Sequence, residues 1–264
     1  MGSKLTPHAR QSTRIKLTLA AVAIVLLLLV GRCITGPERI PDFSSIENVA
    51  DKKAAFFGFL EPHITAVNRA VLQQRAELID IRAEVAEDGK AGWLDRRRLK
   101  QLALEYKMDV PEEFDLRFLD RLLQRVDSIP PSLIMAQAAN ESAWGTSRFA
   151  RLGNNLFGMR TYEPGTGIVP KRRPADATWE VATYHSVRGS IKAYVHNLNT
   201  NAAYRQLRTI RRDLRQNKRT LSGSSLAGGL ARYSERGYEY VSIIRSIIRS
   251  NQLARYDSAL DDGN

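Results

Sequence analysis

Along most of this chain apolar residues recur with a helical period, while one stretch near the N-terminus is apolar without any period. Over 54–85, Phe56, Phe57, Leu60, Ile64, Val67, Val71 and Leu78 predict long helical structure. Pro62 within it predicts a kink or a new helix start. Gly89 and Gly92 break the pattern, and a second helix is expected over 93–108 with Asp95 as candidate cap. A third is expected over 114–126, with Phe118, Leu122 and Val126 on one face. Pro130 and Pro131 then open a strongly apolar helix that Gly145 is placed to end, just after Trp144. Beyond Met159 the texture turns to glycine, proline and short β-compatible pieces at 167–169 and 179–184, which predict a small β-hairpin turning near 174–177. Helical spacing resumes after Ser186, a candidate N-cap, and returns over 203–214 and 238–253, with 222–229 as a flexible break. The expected class is mainly α.

The unpatterned segment, 17–31, reads LTLAAVAIVLLLLVG and follows Lys4, Arg10, Arg14 and Lys16. A membrane-spanning helix needs about 20 apolar residues, a length reached by extending the run to Ile15 and Ile34. A cleaved signal peptide is the rival reading. No small-x-small site follows promptly, however, and Arg32 stands before Cys33 where a lipoprotein signal needs a small residue. The expected organisation is a basic tail (1–16), an uncleaved transmembrane signal anchor (17–34), a linker (35–50), a helical lobe (51–127), a core domain (128–256) and a loose acidic tail (257–264). The basic flank stays in the cytoplasm and the rest crosses.

Chemistry concentrates between 128 and 160. Ile134, Ala138 and Glu141 follow at helical spacing, which sets a carboxylate on an apolar face, and Trp144 lies three residues further on. A carboxyl desolvated in this way suits a general acid of glycoside cleavage. By spacing alone a solvated or structurally hydrogen-bonded helix-end glutamate remains the alternative.

The block Ala139-Asn140-Glu141-Ser142-Ala143-Trp144-Gly145-Thr146-Ser147, followed by Asn154-Asn155-Leu156-Phe157-Gly158-Met159, resembles the signature of bacterial peptidoglycan N-acetylglucosaminidases, in their Bax-like branch. The resemblance implies a lysozyme-like glucosaminidase domain, Glu141 as catalytic acid and the NNLFGM segment as a wall of the cleft. It implies hydrolysis of β-1,4 bonds at N-acetylglucosamine in peptidoglycan strands; together with the expected anchor, the enzyme is expected in the inner membrane with its domain in the periplasm. Tyr184 and Tyr233 match tyrosines that line the family's cleft, where a ring can stack on a sugar while its hydroxyl bonds it. Trp144, Asn154, Asn155 and Phe157 complete the expected substrate-binding set.

A second carboxylate is harder to place. Glycoside hydrolysis ordinarily uses two, and the next acids after Glu141 are Glu163, Asp176 and Glu180. Glu163 and Glu180 flank the expected hairpin and are the candidates; otherwise the substrate's own acetamido group would serve. His63, His185 and His196 lack metal-ligand spacing and Cys33 is the single cysteine, so neither metal, cofactor nor disulfide is expected.

The charge balance, 40 Lys plus Arg against 28 Asp plus Glu, gives +12. Nucleic acid is the reflex partner for such a chain. The anchor and the absence of a nucleic-acid motif point instead to the carboxylate-bearing cell-wall polymer. Two other functions stay open: a lytic transglycosylase working with one glutamate, against which NNLFGM speaks, and a non-catalytic wall-binding protein.

Overall fold

The computed structural model describes residues 39–258, apart from Arg172 and Ala175. The expected basic tail and signal anchor, and all but the first two residues of the acidic tail, lie outside the described residues. No helix among the described residues is long and apolar enough to cross a membrane.

The described chain is mainly helical. Helix α1 (Val49–Asp88) is capped by Asn48, whose side chain accepts from the N–H groups of Ala50 and Asp51. It runs on through Pro62, so no new helix starts there. Proline removes one intrahelical bond, to the Gly58 carbonyl. Burial on either side of it keeps the rod together. Phe56, Phe57, Leu60, Ile64 and Val67 enter the main core, while Leu78, Ile81 and Val85 enter a second apolar cluster. The second cluster is completed by α2 (Trp93–Glu105) and α3 (Leu116–Leu123). Gly92, not Asp95, is the N-cap of α2; Asp95 lies in its first turn, where negative charge favours the helix start. Asp115 caps α3 through the Phe118 N–H.

The main core surrounds α4 (Pro131–Ser142) and is built further by α5 (Arg148–Gly153), α6 (Val187–Thr200), α7 (Arg205–Gln216), the short α8 (Gly223–Leu226) and α9 (Tyr238–Ser250). Ser186 caps α6 as expected, through the Gly189 N–H. The stretch 222–229, expected to be a flexible break, is instead packed tightly. A Cβ at Gly223 would collide with Ser132 and Leu133, and one at Gly229 with the backbone of Leu207. Glycine serves close approach here rather than freedom.

The expected hairpin is part of a three-stranded antiparallel sheet. Strands β2 (Gly167–Ile168) and β3 (Glu180–Ala182) pair as anticipated, and β1 (Arg160–Thr161) adds to the other side of β3, giving the order β1-β3-β2. In register, Arg160 and Ile168 both face Val181.

Two polar clamps fix the entry of α4. Asn68, in the middle of α1, donates to the Ile129 carbonyl (2.8 Å) and accepts from the Ile129 N–H (3.2 Å). Asp127 is fully buried and faces Arg75, Arg211 and Arg215 at 3.5, 3.6 and 2.9 Å. Burial alone would raise the Asp127 carboxyl, but the three guanidinium groups outweigh it and hold it below the usual carboxylate range. Arg211 is therefore a core residue. Asp257, expected to begin the loose tail, is buried as well: its carboxylate accepts from Ser132 N and Oγ and from Gly223 N. A carboxylate there satisfies free N–H groups at the first turn of α4.

Candidate active site

Helix α4 is buried from Pro131 to Ala139, and Glu141 is the half-buried penultimate residue, emerging at its C-terminal end. The helix stops before Trp144. Ala143, Trp144 and Gly145 take φ of 49°, 60° and 77°, three successive left-handed residues. This costs energy at the two non-glycine positions, and the surrounding bonds hold the turn in place. The Ser142 hydroxyl donates to the Ala138 carbonyl (2.6 Å) and accepts from the Gly145 N–H (2.8 Å). The Trp144 N–H reaches the Ala139 carbonyl and the Ser147 N–H the Ser142 carbonyl, while Ser147 caps α5. Gly145 has no alternative, since a Cβ would stand 2.9 Å from Phe43. The sequence S-A-W-G-T-S is thus the covalent recipe for a sharp turn directly after the glutamate.

The Glu141 carboxylate is held by a polarised relay. Tyr194 donates to Gln137 Oε1, Gln137 Nε2 donates to Tyr240 Oη (2.8 Å), and Tyr240 donates to Glu141 Oε1 (2.7 Å). Asn140 Nδ2 adds a bond to the same oxygen at 3.1 Å. Because Tyr194 fills the amide oxygen of Gln137, the amide nitrogen must face Tyr240, and the Tyr240 proton is left for Glu141. Burial first, and then the facing Glu141 charge, raise Tyr240; Tyr194 and Tyr233 are pushed well above the usual tyrosine range, chiefly by burial. All three hydroxyls stay protonated at working pH. Tyr233 stacks on Tyr240 (5.4 Å, 9° between planes), and Phe157 stacks on Tyr194 (4.0 Å, 14°). An aromatic floor results, with the carboxylate at its edge.

The NNLFGM segment lies over the other carboxylate oxygen. Gly158 has φ of 65°, and a Cβ there would stand 3.9 Å from Glu141 Oε2, so glycine both permits the turn and keeps the space clear. Asn155 holds the loop from within. Its Nδ2 donates to the carbonyls of Met159 and Ala182 (2.8 Å each), and its Oδ1 accepts from the N–H groups of Phe157 and Met159. Asn154, with φ of 52°, ends α5 and donates to the Tyr184 carbonyl at 3.0 Å.

Several residues expected to bind substrate therefore have their polar groups engaged with the protein. Asn154 and Asn155 are buried and bonded to backbone carbonyls, so they shape the loop. Phe157 is buried beneath it. Trp144 leaves the helical stripe and packs edge-on against Phe56 and Phe57, with Lys53 Nζ 4.9 Å from its ring, tying the turn to α1. The Tyr233 hydroxyl donates to the Phe157 carbonyl (2.8 Å), and Tyr184 is half-buried, its hydroxyl raised by burial. Glu180 is 8 % exposed and its two oxygens accept from Gly165 N (3.1 Å) and Gly167 N (2.8 Å), which closes the β1–β2 turn. Glu163 lies exposed in that same turn. The structure brings Tyr233, Phe157 and Gly158 together around Glu141 and gives Glu180 a clamping role.

Gln137 and Tyr240 were not singled out by the sequence pattern. Gln137 sits one helical turn before Glu141, and a long polar residue there was the available signal. Tyr240 is 99 residues away from its partner, and nothing local announces the contact.

Residues 119–253 match the glucosaminidase family model, described as mannosyl-glycoprotein endo-beta-N-acetylglucosaminidase. Protein bax of Escherichia coli (strain K12) is 34% identical over 216 residues, covering 81% of this chain and 74% of that protein. Among solved structures, the catalytic domain of the autolysin Auto from Listeria monocytogenes aligns over 97% of this chain and 99% of its own, at 14% identity and a TM-score of 0.42.

Proposed function

The chain belongs to the mannosyl-glycoprotein endo-beta-N-acetylglucosaminidase family, a Bax-like member of it, and from that premise we propose that it hydrolyses the β-1,4 bond at N-acetylglucosamine in peptidoglycan strands, with Glu141 as general acid. One observation carries the reading: Glu141 emerges half-buried at the end of a buried helix and is oriented by the Tyr194–Gln137–Tyr240 relay.

In the first step Glu141 gives its proton to the departing glycosidic oxygen as the bond to C1 breaks. Both oxygens of Glu180 are engaged with backbone N–H groups, which favours the acetamido carbonyl of the substrate as the internal nucleophile. Its oxygen bonds to C1 and a cyclic oxazolinium forms. A water then attacks C1, the ring reopens, and Glu141, now a carboxylate, takes the water's proton. Configuration at C1 is retained. The Tyr240 hydroxyl, protonated throughout, keeps Glu141 aimed in both steps.

The anchor reading of 17–34 places this domain on the periplasmic side of the inner membrane. Intact full-length chain remaining in the membrane pellet after alkaline carbonate extraction supports that placement, and N-terminal sequencing that begins after Cys33 refutes it. Mass analysis of digested peptidoglycan tests the chemistry. Reducing N-acetylglucosamine ends are expected; anhydro-muramyl ends would assign a transglycosylase instead.

A further inference from the structure

A cavity of about 510 Å³ opens between the loop after α2, helix α3 and the start of α7. Five cations line it, Lys107, Arg121, Arg125, Arg205 and Arg208, against one acid, Asp109. Among the described residues none of the five is ion-paired with a carboxylate. Arg125 and Arg208 are fixed in place by backbone carbonyls: Arg125 Nη1 donates to Tyr106 and Lys107, and Arg208 Nη1 donates to Leu198 and Asn201. Burial, then the charges of Arg125 and Arg205, push the Arg208 guanidinium down to about 10. Arg125 is lowered in the same way, by burial and then by Arg205.

The neighbouring arginine cluster shows what this protein does when such a group is structural. Arg75, Arg211 and Arg215 converge on the buried Asp127, which compensates them. The cavity's cations repel one another around open space, an arrangement that a polyanion entering from solvent relieves. Position narrows the choice of anion. Arg205 directly follows Tyr204, which packs on Tyr233 at 5.9 Å and so belongs to the aromatic floor beside Glu141. The cavity lining and the aromatic floor therefore meet in the Tyr204–Arg205 segment.

We propose that this cavity binds the carboxylates of a cell-wall peptide stem, so that the protein grips the peptide as well as the sugar strand. The assignment rests on the peptidoglycan reading of the Glu141 site. It distinguishes stem-bearing from stem-free glycan as substrates and gives the basic residues of this face a ligand.

The test uses the full-length chain in detergent and the double variant Arg121→Gln/Arg205→Gln. Both side chains are exposed, so the fold should persist, which thermal melting checks. Binding of a synthetic stem tetrapeptide, measured by calorimetry, should be at least about tenfold weaker in the variant, the size expected for losing charge-assisted bonds. Wild-type binding should also weaken between about 20 and 200 mM NaCl as screening shortens the reach of the charges. Equal peptide binding by the two proteins, or none by either, overturns the proposal. So does inorganic phosphate binding the wild type as tightly as the peptide. In a parallel arm, strands stripped of their stems should be cleaved equally by both proteins, whereas KM for stem-bearing strands should rise in the variant. If the wild type cleaves neither strand, the hydrolase reading fails, while peptide binding still decides this one.

Discussion

Replacing Tyr240 with Phe interrogates the relay that aims the glutamate. The substitution removes one oxygen and keeps the ring stacked on Tyr233. Two bonds go: the 2.8 Å bond from Gln137 and the 2.7 Å bond to Glu141. Gln137 is wholly buried, so its amide N–H is left without a partner. An orphaned buried donor costs about 1–3 kcal/mol. In a chain of this size each kcal/mol lowers Tm by about 2–4 °C, so a fall of about 2–12 °C is expected. Glu141 keeps only the 3.1 Å bond from Asn140, and loss of aim should lower kcat by about 100-fold. Scanning calorimetry and peptidoglycan hydrolysis measure the two effects. The triple variant Gln137→Leu/Tyr194→Phe/Tyr240→Phe separates them. With every partner apolar no donor is orphaned, so stability should largely return while activity stays low. Wild-type Tm and wild-type turnover in Tyr240→Phe would refute the relay, and recovery of activity in the triple variant would show that only folding had been at stake.

Glu180→Gln should lose some stability, because an amide N–H₂ meets one of the two backbone donors that the carboxylate now accepts, yet it should hydrolyse within about tenfold of wild type. A folded variant down by the full acid–base factor of about 100- to 10,000-fold would restore Glu180 as the second catalytic group. Asp127→Asn should cost about 3–5 kcal/mol in chemical denaturation, since it strips three arginines of their common counter-charge. The Asp127 carboxyl is lowered in the folded state, so its stabilisation is present above its unfolded value of about 3.9 and is lost as pH falls through the lower folded value. The wild type should therefore show an acid-unfolding limb below about pH 4 that is flatter in Asp127→Asn; identical limbs in both proteins would remove Asp127 from the explanation.

Much of this molecule could be read from periodicity, and the exceptions have physical causes. Helices α4, α6 and α9 were legible because each buries one recurrent apolar set and begins or ends on a recognisable residue. No new helix starts at Pro62 because a helix buried on both sides of a proline outlasts the lost bond. The 222–229 stretch misled because glycine means freedom only in open space, and Gly223 and Gly229 press against backbone. Strand β1, two residues long, carries no period to detect. At the candidate site, the turn after Glu141 was legible from the residues S-A-W-G, each of which takes part in it. Asn154, Asn155 and Trp144 were named for the sugar through the family resemblance, and within the chain they meet backbone carbonyls and phenyl rings, contacts that no local pattern encodes. Asp127, Asp257 and Tyr240 act through contacts about 30 to 130 residues away in sequence, which no local pattern encodes.

Glu141→Gln provides the most direct measurement of the proposed chemistry. The amide keeps the shape of the acid and can still accept from Tyr240, so thermal melting and binding to peptidoglycan should match the wild type. It has no acidic proton to give, which removes a contribution typically worth about 100- to 10,000-fold. Full-length Glu141→Gln and wild type should be incubated side by side with purified peptidoglycan, and the release of reducing N-acetylglucosamine ends followed by mass analysis. The expected result is a folded, wall-binding protein whose release rate has fallen by at least about 100-fold. A folded Glu141→Gln that releases these ends at the wild-type rate contradicts the assignment of Glu141 as the general acid.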